Sequence, residues 1–339
     1  MLVVGAYGTG NLGDEAILSG ILDILKNQGL NSEQIVVLSR NPTETKEMHG
    51  VTTRRRNLDD LRKCDVAIIG GGELIQDEYN MAFKYSLLGI FLKLLGKKVI
   101  YYCIGVTKCK NVLNKILVYA SLNLSDEIYV RDEGSKNNLI EMGVKKEVRV
   151  SQDPSLVLKP VSVDSYKEVL TREGINFKGN DFVIGLVVQN IPDAEVNQKL
   201  LELVPHLVDD VLKESRDVHF LFIPFNYHID KLSDRDITFG LKVKERIDSD
   251  RFHIVMGRYS PKQILGLFQR LNFVVSTRLH PLLFATNINV DRAGIGHFRK
   301  VYSIGERYNF RVYKLNEFND LLSTLKDKIA QFGSNDDDE

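Results

Sequence analysis

The sequence predicts an α/β protein built as two Rossmann-like domains facing across a cleft, and three observations carry that expectation. Short Val/Ile-rich runs alternate with helix-length segments almost from end to end, the signature of βαβ units with right-handed crossovers around a parallel sheet. Runs such as Val66-Ala67-Ile68-Ile69 are apolar at every position, as strands covered by helices on both faces must be. The chain has 339 residues, enough for two domains, and the alternation pauses near its middle and then restarts.

In the first half, strands are expected at 2–5, 34–38, 65–69, 98–104, 127–131 and 147–151, each bounded by Gly, Asp or Asn. Helical patterns lie between them: Glu15 to Asn27, Leu58 to Lys63, Met81 to Leu95, Val112 to Leu122 and Glu133 to Met142. From Asp153-Pro154 to Asp164 the period weakens and a linker is expected. The second half repeats the plan: strand 182–188, helix 194–214, strand 218–223, helix 230–247, strand 252–256, helix 261–270, strand 272–276 and helix 279–286. No short sequence repeat accompanies this, so two similarly built domains are expected rather than a solenoid. The boundaries read from the sequence are an N-terminal domain over 1–155, a C-terminal domain over 156–314, a helix over 315–333 and a disordered acidic tail over 334–339. Ligands of open α/β sheets bind beyond the carboxyl ends of the strands, so the cleft between the domains is the expected site.

Composition narrows the function classes. Lys plus Arg and Asp plus Glu both number 45, giving a formal net charge of zero. Sequence-independent nucleic-acid binding needs a broad basic face, and this balance speaks against it while leaving room for a local basic pocket. The three cysteines, Cys64, Cys103 and Cys109, form no CxxC pair and no zinc-ligand spacing, so neither a disulfide framework nor a structural zinc is expected. The start, Met1-Leu2-Val3-Val4-Gly5, lacks the basic region and cleavage site of a secretory signal. The most apolar stretch, Tyr85 to Leu95, contains Lys93 and is too short to span a bilayer. A soluble cytoplasmic protein is expected.

The first βα turn reads Gly5-Ala6-Tyr7-Gly8-Thr9-Gly10-Asn11-Leu12-Gly13-Asp14-Glu15, in which Gly8, Gly10 and Gly13 match G-x-G-x-x-G. Two features count against a dinucleotide. The glycines begin several residues beyond the strand, and Asp14 and Glu15 occupy the first helical turn where a pyrophosphate would dock. A carboxylate within about 5 Å would repel a phosphate charge by roughly 1–3 kcal/mol, against a helix-dipole gain of about 0.3–1 kcal/mol. Two readings stay open: Asp14 caps the helix and the glycines merely permit a turn, or the loop offers Asn11, Asp14 and amides to a neutral polyhydroxyl ligand such as a sugar. The third expected strand runs into Gly70-Gly71-Gly72-Glu73, followed by Asp77, and presents the same choice between a tight turn and close approach of a sugar.

In the second half a buried strand runs into Ser276-Thr277-Arg278-Leu279-His280-Pro281. A planar, permanently charged guanidinium beside an imidazole that titrates near neutrality suits a phosphate or carboxylate. Arg131 closes another strand at its carboxyl end and could serve the cleft from the opposite domain. Arg292, His297, Arg299, Lys300 and Arg307 follow the R-L-H segment, most of them read as solvated surface, and the loop Gly294-Ile295-Gly296-His297 is flexible enough to fold towards the cleft. Arg54-Arg55-Arg56 is read as a solvated strand end, and His228, after Pro224-Phe225-Asn226-Tyr227, as a secondary candidate.

Taken in order, these stretches resemble the polysaccharide pyruvyl transferase family: Asn11-Leu12-Gly13-Asp14-Glu15; Gly70-Gly71-Gly72-Glu73-Leu74 with Asp77; Tyr129-Val130-Arg131-Asp132-Glu133-Gly134-Ser135; Asp153-Pro154; Ile223-Pro224-Phe225; and Ser276-Thr277-Arg278-Leu279-His280. The resemblance spans roughly 1–310. It implies a glycosyltransferase-B-like fold and transfer of a pyruvyl group from phosphoenolpyruvate onto two hydroxyls of a sugar, forming a cyclic ketal in a polysaccharide or glycan precursor of the cell envelope.

By the same resemblance, His280 and Arg278 are the catalytic pair. Arg131, Leu279, Lys300 and His297 are the binding residues it implies, and Asn11, Asp14, Gly71, Gly72 and Asp77, read from their loops as sugar contacts, join them, with the N-terminal domain on the acceptor side. His297 stands near a tyrosine of the family pattern, Lys300 matches a family lysine, and Tyr102-Cys103-Ile104-Gly105-Val106-Thr107 departs from the usual run after the fourth strand. No cofactor or metal is expected beyond phosphoenolpyruvate as co-substrate, and the expected partner is a sugar or glycan-lipid acceptor, with a peripheral contact at the inner membrane face. Two rival readings are a nucleotide-sugar glycosyltransferase using Arg278 and Lys300 on a diphosphate, and a non-catalytic carbohydrate-binding homologue.

Overall fold

The computed structural model describes the chain except 163, 192, 228–234, 297–298 and 337–339, and gives no side-chain account of 299–300 and 334–336. Two compact units emerge: Met1–Thr9 with Asp14–Val157, and Gly10–Gly13 with Leu158–Glu339. A short stretch of the first βα loop therefore belongs to the second unit.

The first unit holds a seven-stranded, all-parallel sheet of β1 (Leu2–Val4), β2 (Val36–Leu38), β3 (Thr52–Arg54), β4 (Val66–Gly70), β5 (Lys98–Ile104), β6 (Glu127–Val130) and β7 (Arg149–Val150), in the order β3-β2-β1-β4-β5-β6-β7. Its helices are α1 (Leu12–Asn27), α2 (Pro42–His49), α3 (Leu58–Lys63), α4 (Met81–Leu94), α5 (Val112–Leu124) and α6 (Glu133–Glu141). Alternation along the strands divides the core in two. Val3, Val37 and Ile68 pack on Ile17, Leu18, Ile21, Leu22 and Leu25, one face of α1. Leu2, Val4, Ala67, Ile69, Val99 and Tyr101 pack on Tyr85, Leu88 and Leu92 of α4 and Val118 and Leu122 of α5. Both sheet faces are covered, which is why Val66–Ile69 is apolar throughout.

The second unit opens with α7 (Ser165–Glu173) and continues as β8 (Phe182–Val187), α8 (Ala194–Glu214), β9 (Val218–Phe222), α9 (Asp236–Lys244), β10 (Phe252–Ile254), α10 (Pro261–Phe268), β11 (Phe273–Ser276), α11 (Leu279–Asn287), β12 (Asp291–Ile295), α12 (Arg299–Arg307), β13 (Val312–Tyr313) and α13 (Phe318–Asp336). Its six strands are all parallel, in the order β10-β9-β8-β11-β12-β13. Phe182, Ile184 and Leu186 face Leu200, Val204, Leu207, Val208 and Val211 of α8.

Several sequence expectations need correction. The stretch 153–164 holds a short 3-10 turn, Pro154–Val157, and spans the boundary between the units, and α7, absent from the sequence reading, begins only at Ser165. Gly294 and Ile295, expected in a flexible loop with Gly296 and His297, belong to strand β12, and the chain is helical from Arg299. The last helix runs to Asp336, into the segment read as a disordered tail. Arg54 ends β3, and Arg54, Arg55 and Arg56 are all exposed, as the reading of a solvated strand end expects; Arg54 pairs with Asp60 at 2.7 Å. Arg292 donates to the carbonyls of Val290 and Tyr308 and lies over the Phe310 ring, so it serves packing.

Candidate active site

In the second unit the carboxyl end of β11 is pinned before it delivers its charged residues. The buried Ser276 hydroxyl donates to the Val187 carbonyl at 3.0 Å and accepts from the Arg278 amide at 2.8 Å. The buried Thr277 hydroxyl oxygen accepts from the Gln189 amide at 2.9 Å. Arg278 is then the residue preceding α11, and its side chain makes no cap to that helix.

The guanidinium is committed instead to Asp236, the first residue of α9. Arg278 Nε donates to Oδ2 at 2.8 Å and Nη2 to Oδ1 at 2.7 Å, a two-pronged pair in which Asp236 is 0% exposed. The Asp236 carboxylate also accepts the amides of Phe225 and Asn226, both at 3.0 Å. A buried carboxylate satisfied by four donors is a fixed mount, and losing its cation would cost about 3–5 kcal/mol. Arg278 is therefore held by a carboxylate partner that the sequence reading does not include. Two of its five N–H donors are taken by Asp236, and the pair is charge-compensated.

The segment that Asp236 holds also carries the early glycine motif. The Leu12 amide donates to the Phe225 carbonyl and the Tyr227 amide to the Gly10 carbonyl, each at 2.8 Å, so Asn11 and Asn226 form an antiparallel bridge. Phe225 is anchored behind it by edge-on rings, Phe268 at 6.2 Å and Phe284 at 5.6 Å. The Asn11 side-chain oxygen accepts the Gly13 amide at 3.0 Å, so Asn11 caps α1, not Asp14. At Gly13 a β-carbon would collide with the His280 ring, so glycine is the residue that admits the imidazole there. The N-x-G and R-L-H motifs thus meet inside one unit, joined through Asp236 and the 225–227 segment. Leu279, expected to bind substrate, is 8% exposed and packs into the interior; only its backbone is offered at the start of α11.

The first unit gathers a second polar group at the ends of β4, β5 and β6. Gly71 and Gly72 have φ of +79° and +80°, and β-carbons there would lie 2.5 Å from Ile17 Cγ2 and Asp14 Oδ1 respectively. These glycines admit the close approach of helix α1. The Gly72 carbonyl accepts the Gly105 amide at 2.8 Å, which fastens the β4 loop to the β5 loop.

Arg131 lies across Gly105, where a β-carbon would sit 2.6 Å from its guanidinium carbon. It is paired with Asp132 at 3.1 Å and Glu73 at 3.7 Å. Burial alone would depress its pKa, and these two carboxylates more than offset that. Asp132 also caps α6 through the Ser135 amide, and the Ser135 hydroxyl accepts the Val106 amide at 3.0 Å.

Asp77 is engaged by the loop and the helix that follow β5. It accepts the Lys110 amide at 2.5 Å, the Asn111 amide at 3.1 Å and the Asn114 side chain at 2.6 Å. Burial would raise its carboxyl, but those bonds hold it below the usual range. Glu15 lies in the first turn of α1, where the sequence placed it, is 4% exposed, and its carboxylate is engaged by the Gly8 amide at 2.7 Å and by His49 at 2.8 Å.

His297 and His228 lie outside the described residues. Lys300 falls within α12 with its side chain undescribed. Sequence reasoning missed Asp236, Gly105 and the Glu15–His49 pair. A fully buried acid opening a helix has only one sequence cue, an Asp directly after the gap between two apolar runs.

A family model for polysaccharide pyruvyl transferase matches residues 11–297, from Asn11 of the glycine motif through R-L-H. The chain belongs to the polysaccharide pyruvyl transferase family. It is accordingly a transferase of polysaccharide biosynthesis. No curated protein matches this family member. Among solved structures it is similar to UDP-GlcNAc 2-epimerase of Neisseria meningitidis (12% identity, TM-score 0.60, covering 98% of this chain and 93% of that one). It is also similar to a glycosyltransferase of Rickettsia africae (13% identity, TM-score 0.63, 98% and 88%). A third similar structure is ADP-heptose LPS heptosyltransferase II of E. coli (14% identity, TM-score 0.55, 97% and 98%). At such identities the likeness establishes the fold, and the glycosyltransferase-B-like expectation for this pyruvyl transferase family member holds.

Proposed function

We propose that this transferase moves the pyruvyl group of phosphoenolpyruvate onto two hydroxyls of a sugar in a glycan precursor, releasing phosphate and closing a ketal. The observation that supports this most is the Asp236-mounted Arg278 next to the His280 that packs on Gly13. Asp236 sets the plane of the guanidinium, leaving three N–H donors to meet the phosphate or carboxylate of the donor in a preset orientation. The start of α11, which carries no cap from the Arg278 side chain, adds amide dipoles of the sign an anion needs.

In the proposed chemistry His280, as the acid, gives a proton to the methylene carbon of phosphoenolpyruvate, making it a methyl group and building cationic character at C2. The first sugar hydroxyl adds to C2 and passes its proton to the now neutral imidazole of His280, restoring the acid. The C2–O bond to phosphate then breaks, the second hydroxyl adds to the same carbon, and its proton leaves with the phosphate. Acid assistance of this kind is worth about 10²–10⁴-fold, and oriented cations comparably much. No cofactor or metal is assigned to any step. Three buried, unpaired cysteines fit action in the reducing cytoplasm.

The test is phosphate release from phosphoenolpyruvate against a panel of sugar acceptors. Arg278→Ala and His280→Ala should each lower it by at least about 10²-fold. Near-normal turnover in both would overturn the assignment. Phosphoenolpyruvate should raise the melting temperature and UDP or GDP should not; the reverse would favour a nucleotide-sugar donor. Glycan binding without phosphate release from any donor would indicate a carbohydrate-binding homologue.

A further inference from the structure

We infer that the outer face of α4 and α5 docks onto the surface of an anionic lipid bilayer, lying on it without crossing. Eight of the fifteen exposed large apolar side chains among the described residues fall between 81 and 124. On α4, Phe83, Leu87 and Leu94 stand at i, i+4 and i+11, one stripe opposite the buried Tyr85, Leu88 and Leu92. On α5, Val112, Ile116 and Tyr119 repeat the pattern at i, i+4 and i+7. The helices pack side by side, and because β4, β5 and β6 are neighbours joined by right-handed crossovers, both lie on the same side of the sheet. Their outward stripes therefore share one surface.

Charge identifies the occupant. In a chain of zero formal net charge, residues 81–124 contain seven lysines and no aspartate or glutamate. Lys93, Lys98 and Lys108 are paired with Asp126, Glu127 and Glu141, carboxylates contributed from outside the segment. Lys84, Lys97, Lys110 and Lys115 have no carboxylate partner among the described residues. Apolar stripes bordered by lysine are the features that hold an interfacial helix at a negatively charged headgroup layer. A second copy of the chain is the poorer fit, because a two-fold contact would set this basic face against itself. No described helix is long and apolar enough to cross a membrane, consistent with surface attachment alone.

The experiment is co-sedimentation of the full chain with vesicles of phosphatidylcholine and phosphatidylglycerol in a ratio of roughly 2:1, and with phosphatidylcholine alone. Binding is expected to the mixed vesicles only, and to weaken with salt. Leu87→Asp combined with Ile116→Asp should lower the partition coefficient at least about tenfold. Lys84→Glu combined with Lys115→Glu should lower it at least about fivefold per lysine. The second pair reads the same face should the first unfold the chain. Leu241→Asp, at an exposed apolar position of α9 in the other unit, should leave binding unchanged. Three outcomes would overturn the inference: no sedimentation with either vesicle, equal binding to both, or a concentration-dependent dimer that the Leu87 and Ile116 substitutions dissociate. Vesicle binding needs no phosphoenolpyruvate, so its outcome is independent of the transfer reaction.

Discussion

The loops that follow β4 and β11 occupy the same place in two sheets of the same topology. Each follows the strand beside the first strand of its unit, where the strand order reverses and doubly wound sheets bind ligands. After β4 the chain reads Gly70-Gly71-Gly72-Glu73, and after β11 it reads Thr277-Arg278-Leu279-His280. In the first unit the glycines take positive φ and let Ile17 and Asp14 of α1 close over them, so the protein's own helix occupies the space. In the second unit the loop keeps full side chains, and the molecule spends a buried carboxylate, Asp236, to aim one of them. The same backbone position can thus be sealed or armed, and the deciding difference is whether a β-carbon can be tolerated.

The largest test of that contrast is Asp236→Ala. It should cost about 3–5 kcal/mol in denaturant unfolding, through a partly buried guanidinium left without its carboxylate and two orphaned amides, and should abolish phosphate release. If stability and turnover were both retained, Asp236 would not be the mount. Next comes Gly13→Ala, which forces the His280 ring to move; kcat/KM for phosphate release should fall about 10²-fold, with a smaller loss of stability. In the sealed loop the balance should invert. Gly72→Ala is expected to lower unfolding free energy by about 1–3 kcal/mol through its positive φ, while the folded fraction keeps most of its turnover. Equal catalytic losses at Gly13 and Gly72 would erase the distinction between the loops.

The smallest effect concerns a histidine pair remote in sequence from either loop. His219 Nδ1 and His253 Nε2 are 3.2 Å apart, with Phe177 edge-on to both rings. Burial first, then His219 and Lys244, push His253 down to about 4. The folded state therefore binds this proton less readily than the unfolded chain, whose histidine titrates near 6.5. Stability conferred by the neutral ring is present above that value and lost as pH falls from about 6.5 through about 4. Allowing for partial solvent screening, the loss should be about 1–2 kcal/mol. His253→Gln should flatten that part of a stability–pH curve; an unchanged acid limb would show that the pair does not titrate as described.

Much of the fold was legible because burial on both sheet faces leaves an unbroken apolar run, and Val66–Ile69 or Phe182–Val188 can hardly be anything but central strands. The short edge strands β3 and β13 carry no such pattern and have no counterpart in the sequence reading, whereas β7 falls within the strand expected at 147–151. Among site residues, Arg278 and His280 were legible from charge at a strand end. Asp77, Leu279, Gly71 and Gly72 were read as ligand contacts, and each proves to be engaged by the protein itself. A sequence shows that a residue has hydrogen-bonding or steric capacity, but not which neighbour has already used it.

What the sequence determined by itself was the succession of elements, their parallel pairing and the chemical types gathered at the strand ends. These follow from local periodicity and from the handedness of crossovers, which depend on nearest neighbours along the chain. The tertiary structure alone decided that Gly10–Gly13 join the second unit, that Asp236 holds Arg278, and that the imidazole of His280 rests on Gly13. Those pairings link residues tens to hundreds of positions apart, and their partners are selected by packing and by the cost of leaving a buried charge unmatched, neither of which is written in any local stretch of sequence.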